Sequence, residues 1–597
     1  MKYATIEAGS SPRVCDAPLR CEPLLVLKFG SSVLRGLQDL PAVAGEIYRQ
    51  RRLGYRVIAV VSALGDETDR LFAQADAVAG NVQCDGIADL VSLGEQRTAA
   101  LLRIACSRIG LKAEICRAEE LQLLGAGSAL DADFLALHSG PLLRKLDACG
   151  TLIVPGFVAL GRNGERLLLG RGGSDFTAAI LGGELRADHV RLYKDVDGVF
   201  ETDPARDPNA RKFAYLSYQD ALLLAGKLIH DKAVAFAAGR QLPIVVEALG
   251  SNQPTWIGAS SELETSHEVP TPLRIALAGY GVVGQAVARR LRDDPRFEVV
   301  TILVRDPSLP RQFAPPVSLT DDRCRFADVE ADICIELLSC AETAGEICAD
   351  ALRRGVDVVT ANKQLICRGL IGLEAIARAH AARLLLAGCV GGGAPLLEAV
   401  TRSRQEGRIT EVAGILNGTV NFVLERLSAG ESLRKAIATA QSLGFAEEDT
   451  EADLSGADAA AKLQIIAARA FHAVPALVEV ETERLDSLLA LRIAASGRRW
   501  VQHSSVRLEG ERVLASVRYR PVEETGLPPA PEEWNVALIR LENGAEIRVE
   551  GRGAGGPATA EAVLADCYEL LHQRMQSLAA PSVGEPSFTA TRAAAHG

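Results

Sequence analysis

The sequence predicts an α/β chain in two halves, each organised on a buried and largely parallel sheet. Three observations lead there. Short, fully apolar runs such as Leu24–Leu27, Val57–Val61 and Leu273–Ala278 are each followed by helical periodicity, the alternation of strand–helix–strand units. The run Leu273–Ala278 passes without a gap into Gly279-Tyr280-Gly281-Val282-Val283-Gly284 and then into a helical pattern through Leu291. That glycine turn lies near mid-chain, with a long folded-looking region on either side.

At 597 residues the chain exceeds what one core can organise and should hold about three or four domains. It is 48% hydrophobic and 24% charged, with a net charge of -11, so a nucleic-acid surface is not its main business and anionic substrates must find individual lysines and arginines. Its 13 cysteines form no CxxC and no Cys/His set at metal-ligand spacing, as expected of apolar fillers in a reducing cytoplasm. The first 22 residues have no apolar core and read as a flexible leader, not a secretory signal. No apolar run is long enough to span a bilayer.

In the first half, Leu24–Leu27 ends in Lys28-Phe29-Gly30-Ser31-Ser32, a strand and small-residue turn where backbone N–H groups can approach phosphate. Taken alone, a lysine at a strand end such as Lys28 is more often simply solvated. Val57–Val61 leads into Ser62 and Thr68; Ser92-Leu93-Gly94-Glu95 opens a helix; Thr151–Val154 is a strand closed by Pro155-Gly156. Gly170-Arg171-Gly172-Gly173-Ser174-Asp175 enters a helix whose N-terminus can receive an anion, although Ser174 or Asp175 serves equally well as a plain N-cap. Leu192-Tyr193-Lys194-Asp195 through Phe200 is a strand and acidic turn; Lys227 and His230 follow, and Leu242–Val246 is the closing strand. No GxxxxGK[ST] motif occurs.

In this order and spacing the segments resemble the aspartokinase branch of the amino-acid kinase family. The resemblance implies an α/β/α sandwich over 23–260 that joins ATP, with Mg²⁺, to aspartate. It places Lys28 and Asp175 in catalysis and Gly30, Ser31, Lys194, Asp195, Phe200 and Lys227 on ATP. Ser62, Thr68, Glu95, Arg171, Gly172, Ser174 and Asp175 fall on aspartate. The chain departs from the family at Ser31, where relatives have glycine, and at Ala205, where they often carry arginine. The regulatory ACT modules that usually follow are also missing, because only a linker (261–271) precedes the next strand.

The second half opens with the glycine turn, a dinucleotide-binding fingerprint because a strand precedes it and a helix follows. After the second strand, Val299–Val304, Arg305 stands where an acid marks NAD and a basic residue marks NADP; Asp306 is next to it, and NADP is favoured. Two more strands end at Leu338 and at Thr360-Ala361-Asn362-Lys363. Leu384–Ala387 enters Gly388-Cys389-Val390-Gly391-Gly392-Gly393, where the backbone can approach a ligand closely. Asp458 and Lys462 share a helix face at i and i+4, a spacing that alone more often means an ordinary salt bridge. Alternating strands follow between Arg498 and Glu550.

GYGVVG, VVTANK, VGGGAP, ILNGTVNF, GFAEED and DLSGADAAAK together resemble homoserine dehydrogenase. The resemblance implies a Rossmann NAD(P) domain over 272–395 completed by a helix at 557–576, an α+β catalytic and dimerisation domain over 396–556, and a disordered tail over 577–597. It gives catalysis to Lys462, Asp458, Lys363 and Glu447; Glu447, Asp458 and Lys462 also face the substrate. The cofactor falls to Gly279, Gly281, Val283, Gly284, Arg305, Thr360, Asn362, Lys363, Gly391 and Gly392. Relatives bind a monovalent cation near the backbone of Val390, Gly391 and Gly393 with a glutamate at the place of Ala387, so that site is expected to be weakened or absent. The reading is a cytoplasmic homodimer or homotetramer that acts on aspartate and on aspartate semialdehyde or homoserine, without nucleic-acid or membrane partners. The alternatives are a dehydrogenase tied to an inactive kinase scaffold, and a nucleotide-binding regulatory protein.

Overall fold

The computed structural model describes residues 22–578 apart from 81–85, 205, 208, 227, 252, 264–270, 444, 447–448, 529, 531–533 and 554. The leader before residue 22 and the tail beyond 578 therefore lie outside the described residues. Among those described, the strands form four sheets.

The largest sheet has nine strands, in the order Glu262–Leu263, Phe213–Ser217, Thr255–Gly258, Ile244–Ala248, His189–Lys194, Leu24–Phe29, Arg56–Val61, Thr151–Pro155, Glu114–Ile115. Its middle strands pair in parallel, with Lys28 beside Leu192 and Val60. Leu24 and Val26 face helices Gly173–Glu184 and Asp231–Arg240, whereas Leu25, Leu27 and Phe29 face helices Leu40–Arg52 and Leu93–Arg108. Being covered on both faces explains why these strands read as unbroken apolar runs. A small four-stranded sheet built from 123–168 flanks this layer.

Two expectations change here. The sheet does not close at Val246: Thr255–Gly258 returns antiparallel to Ile244–Ala248, and Glu262–Leu263, assigned to the linker, pairs antiparallel with Phe213–Ser217. Only residues 264–272 separate that edge from the next sheet. Glu22, assigned to the leader, pairs its carboxylate with Arg51 at 2.7 Å.

The second sheet is wholly parallel, in the order Leu319–Thr320, Phe297–Leu303, Leu273–Ala278, Ile333–Glu336, Asp357–Thr360, Leu384–Leu385. The first strand in sequence is thus central and the chain winds outward both ways, which leaves a crevice at the carboxyl ends of the strands beside Gly279. The third sheet is mainly antiparallel and runs Val480–Thr482, Arg512–Pro521, Trp500–Glu509, Ile409–Ile415, Trp534–Leu541, Glu546–Arg552. Helix Ala457–Phe471 lies across it and carries Asp458 and Lys462.

Helix Gly556–Leu578 joins the halves. Val563, Leu564, Cys567 and Leu571 belong to the core of the parallel sheet, while Ala565 belongs to the core beneath helix Leu40–Arg52 of the first half. Gly45 admits this neighbour, because a Cβ there would collide with Glu561 Oε1. The Arg49 guanidinium lies 3.9 Å from the centre of the Tyr568 ring. Deleting 556–578 is therefore expected to lower the melting transition of the first half as well as the second, by about 5 °C or more for a loss of ~2 kcal/mol. Scanning calorimetry of full-length and shortened protein reads this, and an unmoved first-half transition would show that the helix serves the second half alone.

Candidate active sites

In the second half, each glycine of the first turn has its own steric reason. Gly279 has φ +104°, and a Cβ there would lie 2.5 Å from Leu337 O. A Cβ on Gly284 would collide with Gly279 O, so the helix sits tightly on the turn. Gly281, the residue before helix Val282–Arg292, is different: a Cβ there would meet nothing within 4 Å, so the space over the helix N-terminus is open to a pyrophosphate. Val283 is half-buried behind it. Arg305 is exposed past the second strand, while the Asp306 carboxylate accepts from Ser308 N at 2.8 Å and Ser308 Oγ at 2.6 Å and so holds its own turn.

At the other end of the crevice, Glu336 is fully buried and accepts from Leu338 N at 2.7 Å and Thr360 Oγ1 at 2.6 Å. Burial raises its pKa, with those two bonds opposing. Asn362 caps helix Lys363–Ala379 by accepting from Leu365 N at 3.0 Å and donates to Leu338 O at 3.1 Å. Cys389 donates its thiol hydrogen bond to Thr360 O at 3.4 Å, which places the second glycine turn beside Thr360. Gly391 and Gly392 have φ +91° and +58°.

Lys363 Nζ donates to Asp458 Oδ1 at 2.6 Å, and Lys462 Nζ lies 2.8 Å from Asp458 Oδ2. Lys462 also donates to Leu416 O at 2.6 Å. Burial favours the neutral acid at Asp458, but the two ammonium groups outweigh it and hold the carboxyl well below its usual range. Burial lowers the pKa of Lys462, with Asp458 opposing and Lys363 adding to the fall. At Lys363 burial acts the same way but Asp458 overcomes it, and the pKa rises. Lys462 is thus the lysine readier to part with a proton. The surface-salt-bridge reading of Asp458 and Lys462 does not fit, because Lys462 is buried and Asp458 is shared with a second lysine.

Two further residues belong to the cluster. Asn417 Nδ2 donates to Asp453 Oδ1 at 2.7 Å and to Asp458 Oδ2 at 3.0 Å, and Asn417 Oδ1 accepts from Val420 N at 2.9 Å. Burial, with Asp458 adding, raises the Asp453 pKa. Both residues stand inside motifs legible in the sequence, but a polar residue at a helix start gives no sign of the carboxylate it will meet. Glu447 lies outside the described residues.

The first half repeats the arrangement. Lys28 and Lys194, at the ends of adjacent parallel strands, both reach Asp175: Lys28 Nζ is 2.8 Å from Oδ1 and Lys194 Nζ 2.9 Å from Oδ2. Burial favours neutral Asp175, but the lysines hold it well below the carboxylate range; burial pushes Lys28 down to about 8. The helix cap is Gly172, with φ +80° and no side-chain cap bond, so neither Ser174 nor Asp175 is an N-cap. Ser62 donates to Ser174 Oγ at 3.0 Å. Glu95 is buried and accepts from Ala63 N at 3.2 Å, its Oε2 has no partner, and burial raises it to about 7. A cation is the natural complement of that orphaned oxygen.

The other expected residues range from buried Gly30 to exposed Ser31, Arg171 and Asp195. Arg171 is 93% exposed and pairs with Asp69 at 3.2 Å, next to half-buried Thr68. Gly30 lies under Lys28 Nζ; Ser31 is exposed and outside the left-handed region, so its backbone does not demand glycine. Asp195 is exposed, and Phe200 bridges to Lys212. Lys227 and Ala205 lie outside the described residues.

Comparison with known proteins assigns the parts. The profile of the amino acid kinase family matches residues 23–254, that of the homoserine dehydrogenase NAD binding domain 279–387, and that of homoserine dehydrogenase 395–568. A homoserine dehydrogenase from Corynebacterium glutamicum is 31% identical over 53% of this chain and 75% of its own length. An aspartokinase from Pseudomonas aeruginosa is 32% identical over 41% of this chain and 61% of its own, so the chain spans about three-fifths of that relative. The crystal structure of a homoserine dehydrogenase from Thiobacillus denitrificans shares 28% identity over 51% of this chain and 74% of that one, with a TM-score of 0.46.

The glycines yield a paired prediction. Gly284→Ala should destabilise the protein by about 1–3 kcal/mol, because its methyl has nowhere to go. Gly281→Ala should leave stability unchanged and abolish dinucleotide binding. Urea denaturation and titration of NADPH fluorescence check the two outcomes.

Proposed function

The chain belongs to the homoserine dehydrogenase family and carries an amino acid kinase domain ahead of it, and on that premise we propose a bifunctional enzyme of amino-acid biosynthesis. It phosphorylates L-aspartate to 4-phospho-aspartate with ATP and reduces aspartate 4-semialdehyde to L-homoserine with NADPH or NADH. The observation that carries the dehydrogenase reading is the Lys363–Asp458–Lys462 triad, anchored on buried Lys462, at the crevice of a dinucleotide-binding sheet.

When bound, the dinucleotide supplies the hydride. Two of the three N–H donors of Lys462 are engaged by Asp458 and Leu416 O, so the third is left for a carbonyl oxygen that gains negative charge as it is reduced. Its depressed pKa suits it to pass a proton to that oxygen. Asp458 and Asp453, with Glu447, supply the carboxylates that an aminoacyl substrate's ammonium requires. Lys363 locks Asp458 in place. The open space at Gly281 and the tight turns at Gly279 and Gly284 fit a dinucleotide, and exposed Arg305 favours NADP through its 2′-phosphate. A monovalent cation does not fit the second turn: Ala387 offers no carboxylate, and the Asp566 carboxylate that accepts from Ala387 N at 3.0 Å is already paired with Arg52.

In the kinase half, Lys28 and Lys194 around Asp175 leave one net positive charge at a glycine turn, which fits the phosphates of ATP, with Mg²⁺ as the nucleotide's counter-ion. The partnerless Glu95 oxygen takes the ammonium of aspartate, and Arg171 swings from Asp69 to a substrate carboxylate. No helix among the described residues is long and apolar enough to cross a membrane. As part of the same proposal, the enzyme works in the cytoplasm as a homodimer or homotetramer.

Three outcomes test this. Purified protein given ATP, Mg²⁺, aspartate and hydroxylamine should form aspartyl hydroxamate, and no product at saturating aspartate would sink the kinase reading. Lys462→Ala should lower kcat for semialdehyde reduction about 10²- to 10⁴-fold while NADPH affinity stays within about twofold. Reduction needs Lys462 protonated, and its pKa lies below that of an ordinary lysine. The rate should therefore fall on the alkaline side at a pH below the usual lysine range, and Lys462→Arg should remove that limb from the pH profile.

A further inference from the structure

The turn that joins strand Leu384–Leu385 to helix Leu396–Glu406 lines the cofactor crevice, and its start, middle and end all rest on the kinase half. At the start, Ala387 N donates to Asp566 Oδ2 at 3.0 Å, and the other oxygen of that carboxylate is held by Arg52, the last residue of kinase helix Leu40–Arg52. Just past the end, Glu398 Oε1 lies 3.2 Å from Arg52 Nε. In the middle, Gly393 N donates to Arg552 O at 2.9 Å, and Arg552 N donates in turn to Gly110 O at 2.9 Å. A Cβ on Gly393 would stand 2.6 Å from Ile109 O, so the turn touches the kinase backbone directly.

These contacts are buried and specific. Arg52 is 8% exposed and Asp566 1%. Burial raises Asp566 to about 6 even though Arg52 opposes the rise, so the carboxylate depends on that guanidinium for its charge. Gly110, at φ +81°, has no room for a side chain: a Cβ would lie 2.6 Å from Arg552 Cβ and 3.0 Å from Arg552 N. Arg52 therefore ties both flanks of the turn, and Gly110 backs its centre through Arg552.

We infer that the kinase half supplies positioning residues for the dehydrogenase, with Arg52 and the Ile109–Gly110 backbone holding the Ala387–Pro395 turn in the shape that receives the dinucleotide. This rests on the dehydrogenase reading given above. Neither is assigned a contact with the cofactor: Arg52 acts through Asp566 and Glu398, and the Ile109–Gly110 backbone acts through Arg552 and by its direct packing on Gly393. The dehydrogenase site is thus completed by a domain that catalyses another reaction.

The test titrates NADPH fluorescence with full-length Arg52→Met, Arg52→Lys and Gly110→Ala, alongside melting curves. Arg52→Met and Gly110→Ala should each raise the NADPH Kd about 5- to 10-fold while the stoichiometry stays at one per chain, and Arg52→Lys should recover most of the affinity. A merely structural role would instead lower the stoichiometry at unchanged Kd. Should Arg52→Met not fold, Gly110→Ala, which alters no charge, decides. A Kd within twofold of wild type in a folded variant, or a loss of stoichiometry alone, overturns the inference. Wild-type protein that binds no NADPH would instead sink the dehydrogenase reading beneath it.

Discussion

The architecture turns on a helix that is buried against both halves along most of 558–571. Residues 556–578 close the parallel sheet with one face and cover kinase helix Leu40–Arg52 with the other, so apolar residues recur all round it. Burying such a helix also buries its charges, and each needs a partner. Glu561 takes Arg290, Asp566 takes Arg52, and Tyr568 lies between Arg49 and Arg296. Two of these partners, Arg49 and Arg52, come from the other half, and removing one member of a buried pair leaves an uncompensated charge that costs about 3–5 kcal/mol. The two halves are therefore held by the same requirement that satisfies the helix.

Both candidate sites solve one electrostatic problem in one way. A negative or incipiently negative ligand needs a cation in a dry pocket, yet a lone buried lysine would lose its proton. Clamping one aspartate between two lysines keeps the carboxylate ionised and leaves one net positive charge for the ligand. Lys28–Asp175–Lys194 assembles this from the ends of two adjacent parallel strands and a helix start. Lys363–Asp458–Lys462 assembles it from the first residue of one helix and the first two turns of another. The lysines are not equivalent: in the second site the net balance raises Lys363 and lowers Lys462.

Local elements and their chemistry are legible in the amino-acid order alone. Unbroken apolar runs mark strands covered on both faces, GYGVVG marks the dinucleotide turn, and the motif order marks the two families. The i, i+4 spacing puts Asp458 and Lys462 on one helix face because helical geometry is local. Everything that depends on approaches between distant segments had to wait for the folded chain. Nothing near Asn417 announces that it will bridge Asp453 and Asp458, and nothing near Lys194 announces that it will share Asp175 with Lys28. The strands past Val246, interior Thr255–Gly258 and edge Glu262–Leu263, escape a sequence reading because strands of two to four residues carry little pattern of their own and are fixed by their neighbours. Above all, Arg52 and Gly110 look like an ordinary helix end and an ordinary glycine. Their meaning comes from burial against another domain, where charge must be paired and backbones can meet only without a Cβ.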